Sequence, residues 1–401
     1  MRVMRSRLEA LILEQEDLQT LTRRDIEAVQ LEKLNRLLRR ERQRGGFYRD
    51  LPERLDHLSQ LAELPFTTDE DLAHHVGGML LTSQGEVQRV LSDATSGTTG
   101  AAKRVFYTQG DCENTIQLYM AGLGELIFPG SVTIICFPFS GPYGLGELIA
   151  EAVTRLGATP LKLGPGLTYG EYRTAMEAAD TFVGMPAQLL SLLRAWGPCQ
   201  LKQALISGDA CPEAVVRACE EILGTRLFPH YGSREMGMAG AITCPAHKGM
   251  HLRENHIIAE IIGPDGSVLL PGETGELVIT TIGMEALPLI RYRTGDLTRI
   301  LPGICPCGCE AVRLGSLFRK QARVDFLALE EVVFANPEVV DYRAELRDNT
   351  LTLTIYRGTD WNPEVLIPFV AALLPDVQLN LNVRLLCESD RFLYMGKRSC
   401  L

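Results

Sequence analysis

An α/β fold is predicted, with a large N-terminal domain of mainly parallel sheets plus a β subdomain, followed by a small α+β C-terminal domain. Three observations lead there. A chain of 401 residues exceeds one ordinary hydrophobic core, so two domains are expected. Between about residues 90 and 230, short β-branched runs alternate with helical stretches, as in a parallel sheet whose crossover helices cover both faces. From Ile257 to Arg299 the pattern changes to short strands broken by Gly263-Pro264-Asp265-Gly266 and Pro271-Gly272-Glu273, which signals hairpins. The large domain is set at 1–315, with residues 1–60 helical, and the small one at 316–401.

The elements follow in chain order. From Leu8 to about Arg44 there is no Gly or Pro, and Leu31, Leu34, Leu37 and Leu38 recur at helical spacing, which gives one or two amphipathic helices ended by Gly45-Gly46. Thr68 followed by Asp69-Glu70-Asp71 is a helix N-cap with an acidic first turn. Ser131 to Ile135, Thr159 to Leu161 and Thr181 to Val183 read as strands, with Leu145 to Leu156 and Tyr172 to Ala179 as helices between them. Past Gly315, Thr350 to Tyr356 is strand-like between helical flanks, and the acidic pair Glu330-Glu331 reads as a solvated helix face.

Composition narrows the function classes. Hydrophobic residues at 46% and charged residues at 22% are globular proportions. No run approaches the roughly 18 to 20 uncharged apolar residues a bilayer span requires. Glu9 and Glu14 break the early apolar run, so no secretory signal is expected and the chain is assigned to the cytoplasm. A net charge of -10 argues against nucleic acid as a partner. Eleven cysteines in such a chain point to free thiols or a metal site rather than a disulfide framework.

Thr95-Ser96-Gly97-Thr98-Thr99-Gly100-Ala101-Ala102-Lys103 joins two expected strands, Gln88 to Leu91 and Arg104 to Tyr107. Its glycines let several N–H groups turn toward one point, its hydroxyls add donors and Lys103 adds a cation, so the loop could hold a polyphosphate. It is not a Walker A loop, because GxxxxGK[ST] is absent and a strand follows. A plain flexible turn is the alternative for such a composition.

This loop resembles the [ST]SGTTGxPK signature of the adenylate-forming superfamily, with Ala102 in place of the usual proline. His230-Tyr231-Gly232-Ser233-Arg234-Glu235 is similar to the family's YGxTE motif, and Tyr292-Arg293-Thr294-Gly295-Asp296 to its YRTGD motif. Within the superfamily the likeness is greatest to phenylacetate-CoA ligases, through Leu64 to Thr68, Tyr143-Gly144-Leu145, Thr181 to Pro186 and Glu285 to Leu297. The resemblance covers roughly residues 45 to 315 well.

The resemblance implies an acid-CoA ligase. A small, aromatic carboxylic acid reacts with ATP to give acyl-AMP and pyrophosphate, and coenzyme A then displaces AMP. Transfer to a carrier protein or an amine, or a degenerate nucleotide-binding protein, are the alternatives. It implies Mg2+ at Glu235, a hard oxygen ligand. Asp296 would accept from the ribose hydroxyls. Gly208 and Asp209 would contact adenine, and Tyr231 would stack on it, with Gly232 and Ser233 beside the nucleotide. Tyr143, Gly184 and His230 would line the acid pocket. Lys397, in Gly396-Lys397-Arg398, would contact the reacting carboxylate from a C-terminal lid domain that rotates between half-reactions.

Two departures stand out. Arg234 replaces the usual threonine, and Leu314 to Lys320 lacks the GRxDD-like hinge. Finally, Cys305-Pro306-Cys307-Gly308-Cys309 is a tight cysteine cluster, and Cys244 lies seven positions before His251. Thiolates and an imidazole in fours are what zinc selects. Cys244, His251, Cys305 and Cys307 match a zinc set of some relatives, and His247 or Cys309 could substitute. Small-molecule partners only, with a homodimer as an admitted assembly, complete the expectation.

Overall fold

The computed structural model describes residues 6–93, 103–164, 166–319, 325–358 and 362–391. The predicted loop residues Thr95, Ser96, Gly97, Thr98, Thr99 and Gly100, and Lys397, lie outside them. The chain divides into two compact units, Met1–Glu125 with His230–Leu317, and Leu126–Pro229 with Phe318–Leu401. The α/β class holds, with parallel and antiparallel pairs that also mix within a sheet, as where Thr350–Arg357 pairs antiparallel with Val339–Arg347 and parallel with Gln378–Leu385.

In the first unit, helices Arg7–Gln15 and Arg23–Arg44 open the chain. Thr22 and Asp25 form a reciprocal capping box at the start of the second, and Gly45 ends it in the left-handed region at φ 66°. The leucines read at helical spacing are its buried face: Leu34, Leu37 and Leu38 pack with Tyr48, Leu51, Ile258 and Ile290 in one cluster. Thr68 caps helix Asp69–Met79, again with a capping box, here to Asp71. Strands Arg89–Asp93 and Lys103–Tyr107 pair antiparallel, so the phosphate-loop segment joins two arms of one hairpin. The β subdomain is an antiparallel run of Ile257–Ile262, Gly275–Thr281 and Tyr292–Thr298. A further antiparallel set holds His230 and Tyr231 against Ile242 and Ala241, then Ala241–Thr243 against Met250–Leu252, and His251 against Arg313.

In the second unit, Thr159–Lys162, Val132–Ile135, Thr181–Gly184 and Gln203–Ile206 lie side by side and parallel. Helices Leu145–Arg155, Tyr169–Ala178, Pro186–Trp196 and Glu213–Leu223 supply the crossovers. The inner strands are largely buried, Thr181 to Gly184 throughout, whereas Thr159–Lys162 at the sheet edge is exposed at both ends. Later in the chain, helix Phe326–Phe334 precedes strands Val339–Arg347, Thr350–Arg357 and Gln378–Leu385.

One sequence expectation fails in this unit. Glu330 is 5% exposed, and the Glu331 carboxylate accepts the backbone N–H groups of Glu213 and Ala214, the latter at 2.8 Å. The acidic pair is therefore not a solvated face, because the positive end of helix Glu213–Leu223 gives Glu331 unpaired donors to satisfy. Arg194 does the converse. Its guanidinium donates to the carbonyls of Phe334, Asn336 and Val339, closing the C-terminal end of helix Phe326–Phe334. The cation is held by carbonyl oxygens rather than by a carboxylate, and burial pushes its pKa down to about 10.

Candidate active site

Lys103, at the exit of the phosphate-loop segment, ends its reach at Glu235. The Lys103 Nζ lies 2.6 Å from Glu235 Oε1, and both side chains are almost inaccessible, at 14% and 8%. Burial alone would neutralise such groups, but each supplies the other's counter-charge. Burial opposes the charge on Lys103, yet Glu235 and Asp69 outweigh it and hold its pKa above the usual lysine value. Burial likewise raises Glu235, and Lys103 reverses this, leaving the carboxyl below its ordinary range. The pair is charged at neutral pH.

Two further side chains complete the cluster. Lys103 Nζ is 3.1 Å from Asp69 Oδ1 and 3.2 Å from the Tyr292 hydroxyl. That hydroxyl donates to Asp69 and lies 3.4 Å from Glu235 Oε1. Neither Asp69 nor Tyr292 was assigned a role from sequence. Tyr292 stood inside the quoted YRTGD motif, whereas Asp69 read only as first-turn acid of a helix, 34 positions from Lys103.

The turn that carries Glu235 is fixed from several sides. Strand Phe228–Tyr231 leads into the short helical turn Arg234–Met236. Tyr107, itself buried, donates to the Arg234 carbonyl at 2.7 Å. Gly232 is needed there because a Cβ would stand 2.5 Å from the Met238 carbonyl oxygen. Arg234 projects to solvent, next to the buried Glu235.

Tyr231, one element away, donates to Asp296 Oδ2 at 2.7 Å. Asp296 sits on strand Tyr292–Thr298, the strand that begins with Tyr292, and its N–H is held by Thr294 Oγ1 at 3.1 Å. The three motifs thus converge within one unit: Lys103 from the first, Tyr231 and Glu235 from the second, Tyr292 and Asp296 from the third. Ser233 is half-buried on the same turn. A buried carboxylate beside a lysine, with a second carboxylate linked to a tyrosine, can bind a divalent cation and accept from vicinal hydroxyls.

His230, expected in the acid pocket, is buried, with 4% exposure, and stacks on Tyr119 with ring centroids 4.6 Å apart. Burial lowers its pKa to about 3, so the imidazole is neutral. The other expected contacts lie in the second unit. Gly208 has φ 88° and its position would bring a Cβ within 3.0 Å of the Phe137 ring. Asp209 Oδ1 accepts the Ala210 N–H at 2.8 Å. Tyr143 is half-buried at φ 66°, and Gly184 ends strand Thr181–Gly184 with the Phe182 ring 2.6 Å from where a Cβ would be.

The cysteine cluster also closes within the first unit. One donor atom from each of Cys244, His251, Cys305 and Cys307 lies within 4.8 Å of the others. Cys244 Sγ and Cys305 Sγ are 3.7 Å apart, and Cys307 Sγ is 3.4 Å from His251 Nε2. Zinc–sulfur bonds of about 2.3 Å at tetrahedral angles put two sulfurs roughly 3.8 Å apart, so the donor set fits the ion. His251 Nδ1 lies 3.1 Å from the Ala311 carbonyl, which leaves Nε2 as the ligand atom in the way outer hydrogen bonds orient metal-binding histidines. Cys244 is anchored just after strand Ala241–Thr243, His251 on strand Met250–Leu252, and the Cys305 loop between Ile300–Leu301 and Arg313–Leu314. A cation here would tie four strand ends together.

The family described as AMP-binding enzyme matches residues 93–285. A phenylacetate-coenzyme A ligase of Thermus thermophilus is 30% identical over 356 residues, 82% of this chain and 79% of the relative. One from Escherichia coli K12 is 33% identical over 268 residues, 63% of this chain and 60% of its own length. Among solved structures, a 2-hydroxyisobutyryl-CoA ligase shares the fold at TM-score 0.75 and 16% identity, over 95% of this chain and 90% of that one. Among the described residues no helix is long and apolar enough to cross a membrane. With the motif residues gathered as described, and a relative aligned over most of both chains, the chain belongs to the phenylacetate-CoA ligase-like branch of the adenylate-forming, AMP-binding enzymes.

Proposed function

We propose that this protein joins a small, flat carboxylic acid to ATP as acyl-AMP and then passes the acyl group to coenzyme A. The observation that carries this is the Lys103–Glu235 pair in the same unit as the Tyr231–Asp296 pair. Attack of a carboxylate on the α-phosphorus brings two anions together, so the site must supply fixed positive charge and a fixed ribose. Glu235 would hold Mg2+, which supplies charge neutralisation at the phosphates when bound. Lys103 contributes a second cation next to it. Asp296 accepts from the ribose hydroxyls, and Tyr231, already bonded to Asp296, orients that carboxylate and presents its ring to the base. Thr95, Ser96, Gly97, Thr98, Thr99 and Gly100 cradle the phosphates, and Gly208 and Asp209 contact adenine.

Tyr143, Gly184 and His230 line the acid pocket in this reading, His230 as a neutral, apolar wall rather than as a base. Lys397 contacts the reacting carboxylate, and residues 316–401 act as the smaller C-terminal lid domain. Cys244, His251, Cys305 and Cys307 hold a structural Zn2+. The same reading puts the reaction in the cytoplasm, where ATP and coenzyme A are supplied, and admits a homodimer.

Relatives named for phenylacetate, and a structural neighbour named for 2-hydroxyisobutyrate, direct the acid panel toward arylacetic, benzoic and short branched acids. Purified protein with ATP, Mg2+, coenzyme A and each acid in turn should yield an acid-dependent acyl-CoA by mass spectrometry. AMP release and pyrophosphate formation without any acyl-CoA across the panel would move the acceptor to a carrier protein or an amine.

A further inference from the structure

Lys103 has two anionic partners, and they differ in kind. Glu235, at 2.6 Å, has an 8% exposed side chain, while Asp69, at 3.1 Å, has a 70% exposed one. The ammonium thus sits between an inner carboxylate and an outer one. Tyr292 bridges them, its hydroxyl donating to Asp69 and accepting from Lys103. Asp69 is held in place as the first residue of helix Asp69–Met79, where the helix N-terminus favours a carboxylate.

A divalent cation held by Glu235 would stand within a few ångströms of the Lys103 ammonium, and the two positive charges would repel. That repulsion would push Lys103 away from Glu235 were Mg2+ bound there, and a lysine left without a counter-charge beside the metal would oppose its binding. Asp69 offers the ammonium a partner already within hydrogen-bond distance, so the exchange needs only a small side-chain movement. We propose that Asp69 is a positioning residue for metal loading: the outer carboxylate that receives Lys103 when Glu235 is taken by Mg2+. The inference rests on the reading of Glu235 as the Mg2+ ligand.

The test avoids turnover. Calorimetry measures the binding of α,β-methylene-ATP with and without Mn2+, and the ratio of the two Kd values reports metal loading. Asp69→Asn should lower that ratio about three- to fivefold, the scale of a partly exposed ion pair. Asp69→Glu should restore it. In a Lys103→Met background, Asp69→Asn should change nothing, because Asp69 acts through the lysine. An unchanged ratio for Asp69→Asn in the native background overturns the proposal, even if the melting temperature falls, since that leaves only its charge at the helix N-terminus. An equal fall in both backgrounds also overturns it, because Asp69 would then act on the metal directly. Glu235→Gln separates the two levels. If it abolishes the ratio while Asp69→Asn does not alter it, the positioning role alone fails; if it leaves the ratio intact, the Glu235 assignment fails with it.

Discussion

Removing the metal expected at the cysteine cluster should weaken the first unit by an amount the chain itself sets. Cys244 and Cys305 are 61 positions apart, and a bound zinc closes that length of chain into a loop. For a cross-link over such a loop the chain-entropy relation gives about 4 kcal/mol, taken as the scale of the loss on replacing one ligand or stripping the ion. At roughly 2–4 °C of melting temperature per kcal/mol for a unit of this size, the midpoint should fall by about 8–16 °C. Differential scanning calorimetry before and after a chelator, with zinc determined by elemental analysis, measures both quantities. The expected result is close to one zinc per chain and a midpoint that drops on chelation and recovers on adding Zn2+. Cys305→Ser should start at the lower midpoint and respond little to chelator. Zinc-free protein whose midpoint ignores chelator would refute the reasoning, whatever the spacing of the thiols.

Other perturbations follow from the same contacts. Arg194→Met removes the donor to three carbonyls at the end of helix Phe326–Phe334 and should cost about 2–4 kcal/mol in urea unfolding, because those oxygens are left without partners. Glu331→Gln keeps the shape but loses the charge facing the start of helix Glu213–Leu223, so a loss of about 1 kcal/mol is expected by the same assay. His230 is held neutral with a pKa of about 3, whereas the unfolded chain takes up that proton below about 6.5. Its contribution is therefore lost as pH falls from about 6.5 toward 3, amounting to about 2 kcal/mol by pH 5. Burial, with Arg253 and Lys33, lowers His256 in the same direction, so His230→Phe should remove only part of the acid-side slope of stability against pH.

Local chemistry in the sequence carried much of the fold. Thr68 was readable as a cap because a capping box needs residues only three positions apart, and the box formed; the same box at Thr22 and Asp25 went unread. The hairpins after Ile257 were readable from turn glycines, of which Gly266 does take φ 86°. Long-range pairing was not readable. Glu331 reaches a helix start 117 and 118 positions away, and nothing in the Glu330-Glu331 dipeptide distinguishes a buried cap from a solvated face. The site shows the same division. Glu235, Asp296 and Lys103 came from motifs, each a short stretch whose residue types fit phosphate, ribose or metal. Asp69 did not, because its partners come from two strands elsewhere in the chain and its own neighbours describe only a helix start. For the zinc set, the Cys305–Cys307 spacing was local, but joining it to Cys244 and His251 depended on the resemblance.

The central claim is that Glu235 and Asp296 act on one ATP molecule, and acid-dependent exchange of radiolabelled pyrophosphate into ATP tests it most directly. The native protein should show exchange only with an acid it activates. Glu235→Gln should lose it by about two orders of magnitude or more, as expected when a charge at the reacting phosphates is removed, while Asp296→Ala should chiefly raise the KM for ATP. Exchange that persists undiminished in both variants would contradict the assignment of this cluster of side chains as the place where acyl-AMP forms.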